Sequence, residues 1–235
     1  MVETLVILFV ALLLLLGIIQ FGLIYNAKTI LNYATFEATR AGTLNHADRK
    51  AIEYGLAIGL APLYASVEKQ PGGQSIWDKI KGRVQDVEAI KKARSRVLSD
   101  LKDFTCIERI NPTSAAFSAY GIKGSLGTYE NQTLIPNDHL LYRSAVIKGG
   151  AQVSIQDANL LKLRITYCYP MAVPMISKVI KQLYGLAQPG TGKTPLPAGS
   201  FRQHCLKHDR MPIVAQAAIR MQTSARNDDF ADACL

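Results

Sequence analysis

The stretch Leu5–Tyr25, LVILFVALLLLLGIIQFGLIY, decides how the rest of the chain is read. From Leu5 to Ile19 it has no polar side chain, and Gln20 is the one amide before Asn26. As a helix its 21 residues measure about 32 Å at ~1.5 Å per residue, which matches a hydrocarbon core of ~30 Å. A helix apolar all round needs lipid or other helices about it, so the segment reads as a retained single membrane span. A cleaved signal peptide fits less well. There is no basic leader, the apolar run is about twice the usual length, and no small-x-small site follows Tyr25.

The helical pattern continues past the span. No proline occurs before Pro62, and Ile30, Leu31, Ala34, Ala38 and Ala41 recur at three- and four-residue spacing. Gly42-Thr43 reads as the stop and Asn45 as the N-cap of the next helix. The expected object is one helix of about 40 residues, apolar all round in its first half and amphipathic in its second.

Whole-chain averages conceal this division. The 235 residues are 49% hydrophobic with a net charge of +9, values that exclude a disordered chain and, with a mean hydropathy of +0.09, a polytopic membrane protein. Residues 1–27 hold a single charged side chain, Glu3. The remainder carries 27 basic against 17 acidic residues, net +10. Orientation is left open by two opposed signals. Lys28, Arg40, Arg49 and Lys50 favour a cytoplasmic body, a rule that weakens for long translocated domains. Four cysteines, Cys106, Cys168, Cys205 and Cys234, fit disulfides in an oxidising compartment.

Val2-Glu3, the run Leu12–Leu16, Gly17-Ile18-Ile19-Gln20-Phe21-Gly22, Tyr25 and Glu37-Ala38-Thr39-Arg40-Ala41-Gly42 together resemble the N-terminal signature of TadE-like minor pilins of tight-adherence (Tad/Flp) pili. Gln20 stands where an acidic residue is common in that family. Glu3 corresponds to the glutamate that processed pilins carry at their fifth position, offset by two, which leaves the prepilin peptidase site open. The resemblance implies a pilin-like subunit stored in the inner membrane that bundles through its helix with other minor pilins, the major pilin and the assembly platform. It further implies that Glu3 pairs with the terminal amine of a neighbouring subunit. The alternative places Glu3 at headgroup level, outside the bilayer. The assembly helix then comprises Glu3, Gly17, Gln20, Phe21, Gly22, Tyr25, Glu37 and Arg40. Gly17 and Gly22 are suited to close helix approach.

In the body, Asn45–Ser66 reads as a helix limited by Pro62, Lys69–Ser75 as a linker, and Ile76–Phe104 as an amphipathic helix with a solvated charged face. Thr105–Asn111 alternates and ends at the turn signal Asn111-Pro112. Leu160–Tyr169 puts Leu161, Leu163, Ile165 and Tyr167 on one face, with Lys162, Arg164, Thr166 and Cys168 on the other, and Ile213–Gln222 is its expected partner. Helices first and strands after predict an α+β fold with a small antiparallel sheet, the pilin plan. The expected division is a helix over residues 1–44, including the span, and a periplasmic α+β domain over 45–235.

Sites for chemistry are scarce. Ala187–Thr194 fits a relaxed P-loop, but Pro195 and Pro197 oppose the helix such a loop must open. Gln188–Ser200 reads as a long Pro/Gly-rich loop. His204, Cys205, His208 and Asp209 match no standard zinc spacing. Asn131-Gln132-Thr133 is a formal glycosylation sequon. No nucleophile–base or paired-carboxylate set stands out, so no enzyme, cofactor or metal site is expected. The favoured cysteine pairing is Cys168–Cys205 with Cys106–Cys234. The expected function is a non-enzymatic minor pilin that initiates, primes or caps a Tad/Flp pilus. The alternative, suggested by the +10 body, is a pilus-tip adhesin or a polyanion- or DNA-binding module on a membrane anchor.

Overall fold

The computed structural model of the protein describes residues 2–64, 95, 97–126, 129–172 and 201–227. Helix α1 runs unbroken from Val2 to Leu44. Its second half is a spine, with Ala27, Leu31, Ala34, Thr35, Ala38 and Thr39 buried at helical spacing. Threonine is costly on a buried helical face unless its hydroxyl is used. Thr35 donates to Leu31 O and Thr39 to Thr35 O, each at 2.7 Å, so no donor is stranded.

The corner after α1 differs from the sequence expectation. Gly42 lies inside the helix, where a Cβ would come within 2.8 Å of both Ile52 Cγ1 and Leu161 Cδ2, so it serves packing and not termination. The chain turns instead at His46 and Ala47, both with positive φ. Asn45 caps the helix it ends, its side-chain amide donating to Ala41 O at 2.8 Å. Helix α2, Arg49–Tyr64, is capped by Asp48, whose carboxylate accepts from Ala51 N–H at 3.1 Å. Pro62 lies within α2 and does not limit it.

Helix α2 returns antiparallel along α1 in close contact. A Cβ at Gly59 would stand 2.4 Å from Ala34 Cα, and one at Gly55 2.9 Å from Ala41 Cβ. Small residues on both helices therefore bring the two backbones together. Only the end of the expected Ile76–Phe104 helix falls among the described residues. Positions 97–104 are helical, with Val97 and Leu101 buried.

Two three-stranded antiparallel sheets follow where one was expected. The first orders β1 (Thr105–Asn111), β4 (Leu160–Pro170) and β5 (Arg210–Arg220) as β1-β4-β5. Leu161, Leu163, Ile165 and Tyr167 are buried as the alternation predicts, with Ile165 opposite both Ile107 and Ala215. The second sheet, β2 (Ile122–Leu126), β3 (Tyr129–Ile135) and β6 (Ala225–Arg226), has β3 in its centre. Between the first two strands of the chain lies α3, Ser114–Tyr120, capped by Thr113. One turn of helix, α4 (Ile155–Ala158), precedes β4, and α5 (Phe201–Lys207) precedes β5.

Helix α1 lies along β5 in the same direction. Lys28 Nζ donates to Val214 O, and Thr43 O accepts from Gln222 N and Thr223 N. The body thus has a lower end, toward the free part of α1, where Thr105, Pro170 and Arg210 meet. Its upper end holds Asn111, Leu160, Arg220 and the α1–α2 corner. The corner is fastened there by Arg226, which donates its backbone N–H to His46 O at 2.9 Å and pairs with Asp48 at 2.7 Å.

Candidate assembly helix and the body that holds it

The first half of α1 projects from this body. Every residue described from Val6 to Ile19 is exposed or half-exposed, and Ile18 is 73% accessible. Such a helix is long and apolar enough to cross a membrane. A Cβ added at Gly17 or Gly22 would meet no atom within 4 Å, so neither glycine is required by the fold of this chain.

The residues singled out on the helix do not share one face. Phe21, Gly22 and Tyr25 point outward, Tyr25 being 76% accessible. Gln20 is 0% accessible and begins the inward stripe that Ile24, Ala27 and Leu31 continue. Arg40 is exposed and Glu37 half-buried, whereas Ala38 and Gly42 of the same Glu37–Gly42 block are packed inside. Thus Gly17, Phe21, Gly22 and Tyr25 are available to a neighbour, while Gln20 faces the protein's own body. The side chain of Glu3 lies outside the described residues.

Beneath the helix is a polar network that sequence reasoning missed. Arg210 grips Asp100 with both terminal nitrogens, at 2.8 and 3.1 Å, and also donates to Cys168 O at 3.2 Å. Its guanidinium lies 3.5 Å from the centre of the Phe104 ring. Tyr64 donates its hydroxyl to Asp100 and bonds the hydroxyl of Tyr167. Burial, with the neighbouring Tyr167 and Asp100, pushes the Tyr64 phenol far above its ordinary range. Burial likewise raises Tyr167 to about 12. Four distant segments supply these groups, and none carries a local signature.

A disulfide joins Cys168 to Cys205 beside this network, with Cα atoms 5.2 Å apart. It pins α5 to the end of β4. Cys106 is disulfide-bonded as well, whereas Cys234 lies outside the described residues, as do Ala187–Thr194 and Gln188–Ser200. The rings of His204 and His208 pack against each other and against Phe104 in tilted and edge-on arrangements, at centroid separations of 4.6 to 5.8 Å. Cys205 of that cluster is committed to sulfur. Among the described residues no group of three or more His, Cys, Asp or Glu side chains could hold a metal ion.

At the upper end, Leu141 and Tyr142 stand 89% and 86% accessible on a loop that is nonetheless well tied. Tyr120 Oη donates to Val153 O at 2.8 Å and accepts from Lys148 N at 3.0 Å, and Gln156 Nε2 donates to Arg143 O at 2.8 Å. An open cleft of about 480 Å³ lies nearby, lined by polar residues such as Asn111, Gln152, Asp157 and Lys162 and by apolar ones such as Ile110 and Leu160.

An α+β body is built on the second half of a helix whose first half is apolar and projects from it, a plan compatible with a membrane anchor. Residues 1–40 match the family described as TadE-like protein, so the N-terminal helix of this chain is similar to that of the family. The match covers α1 almost to its end and none of the strands. Comparisons with curated proteins and with solved structures returned no match.

Proposed function

We propose that the protein is a non-enzymatic minor pilin that helps initiate, prime or cap a Tad/Flp pilus through α1. The observation that carries this reading is the free apolar helix with open positions at Gly17 and Gly22, rigidly joined to a folded body. In storage the helix is surrounded by inner-membrane lipid; on assembly, helices of other minor pilins and the major pilin replace that lipid. The disulfide supports a periplasmic body, since such bonds persist in oxidising compartments. The partners are those pilins and the inner-membrane assembly platform.

Substituting Gly17→Leu and Gly22→Leu together tests this. The fold leaves both positions open, so the body should stay native while pilus number and co-purification with the other pilins fall. Unchanged pili and unchanged co-purification would overturn the proposal.

A second reading, a pilus-tip adhesin, is favoured by the fastened loop that lifts Leu141 and Tyr142 at the end of the body remote from α1's free half. Replacing both by serine should then abolish surface attachment while leaving piliation intact. The polyanion-binding variant of that reading requires steeply salt-dependent binding of duplex DNA.

A further inference from the structure

The 21-residue apolar run is bounded by Thr4 and Asn26, but the body takes up one side of its last part. Gln20 is fully buried and Ile24 packs against the core, whereas no described residue from Val6 to Ile19 is buried. The strand register gives the same level independently. Val214 of β5 is fastened to Lys28, and β5 begins four residues lower, at Arg210. Four residues of strand are about 13 Å, which equals about nine residues of helix. Arg210 therefore stands level with residue 19 or 20 of α1.

The described part of the run clear of the body, Val6–Ile19, is about 21 Å long at ~1.5 Å per residue, short of a ~30 Å hydrocarbon core. The outer side of the next turn and a half, with Phe21 and Tyr25 exposed, has to complete the span. A body that reaches down to Gln20 on the inner side cannot then stand clear of the bilayer.

We infer that the lower end of the body, formed by α5 and the strand ends Pro170 and Arg210, is seated in the headgroup layer and binds anionic phospholipid. This rests on the reading that α1 spans the membrane. The charge at that end suits the partner. Lys102, Arg202 and Lys207 are exposed there. Among the described residues there, Asp100 is neutralised by Arg210, leaving Asp103 and Asp209 against three cations. Exposed cations close to an anionic leaflet are attracted to it over about a Debye length.

The test uses the full chain in phosphatidylcholine vesicles with or without phosphatidylglycerol. A fluorescent side chain is placed at Leu14, at Ala172 beside the lower strand end, or at Leu141 on the upper loop. Nitroxides are carried on lipid headgroups or on acyl chains. Headgroup nitroxides should quench position 172 roughly twofold more than position 141, and more so with phosphatidylglycerol. Arg202→Glu with Lys207→Glu should remove the phosphatidylglycerol increment. Equal quenching at 172 and 141, with position 14 still quenched by acyl-chain nitroxides, would overturn the seating and leave the span intact. Loss of acyl-chain quenching at position 14 would overturn the span itself. An increment at 172 that survives the charge reversal, or no increment with phosphatidylglycerol, would overturn the anionic preference.

Discussion

Tyr167 shows how a single residue can be both legible and opaque. Its place on the inward face of β4 follows from the alternation of Leu161, Leu163 and Ile165. Its hydroxyl partner, Tyr64, lies 103 positions away in a helix, and the carboxylate that Tyr64 holds belongs to a third segment. No local pattern encodes such a meeting. The consequence is measurable in alkali. Burial raises the Tyr167 phenol from an ordinary 10.0 to about 12, so the folded state keeps a proton that the unfolded chain releases. Stability from this group is complete below pH 10 and is lost as pH rises from about 10 to about 12. Tyr167→Phe should flatten the fall in denaturation midpoint across that window. An unchanged slope would separate the phenol from alkaline unfolding.

Among the elements, β1 and β4 were legible because short alternating runs end at strong punctuation, and the structure places them at Thr105–Asn111 and Leu160–Pro170. The α1–α2 corner was misplaced because glycine has two uses. It ends helices, and it also lets another element approach, which is its use at Gly42. The second sheet escaped notice for a different reason. Strand β2 contains Lys123 and Gly124, and β6 is only Ala225–Arg226, so neither presents an apolar alternation. The helix pair gives a direct contrast between fold glycines and free ones. Gly59→Ala puts a methyl 2.4 Å from Ala34 Cα and should destabilise the protein by about 1–3 kcal/mol. Gly17→Ala meets nothing and should be neutral or stabilise by about 0.5–1 kcal/mol. Thermal unfolding of the detergent-solubilised chain, followed by circular dichroism, compares the two.

At the scale of the whole molecule, the disulfide fastens the lower end. Cys168 and Cys205 are 37 residues apart, and closing a loop of that size is worth roughly 3–4 kcal/mol against the unfolded chain. Cys168→Ala with Cys205→Ala should lower the unfolding free energy by about that much and release α5 first. Hydrogen exchange would show it as faster exchange at residues 201–207 than at the α1–α2 corner. Equal acceleration at both ends would mean that the bridge stabilises the fold globally and does not hold α5 locally.

The sequence by itself determined the long helix, its change from apolar to amphipathic, the α+β order of elements and the TadE-like resemblance. Each of these is written in short-range periodicity or in a contiguous motif. Tertiary structure alone decided that Gln20 faces inward while Phe21 and Tyr25 face out, that Gly42 packs where it was expected to stop a helix, and that Asp100, Tyr64, Tyr167 and Arg210 meet. The physical reason is the range of the interaction. Hydrophobic period and capping act between neighbours a few residues apart, whereas the level at which a body clasps its helix is set by contacts between residues as distant as Lys28 and Val214. Leu5–Tyr25 lies in a helix long and apolar enough to cross a membrane, but the fold, and not its hydropathy, sets how much of that run is left clear of the body.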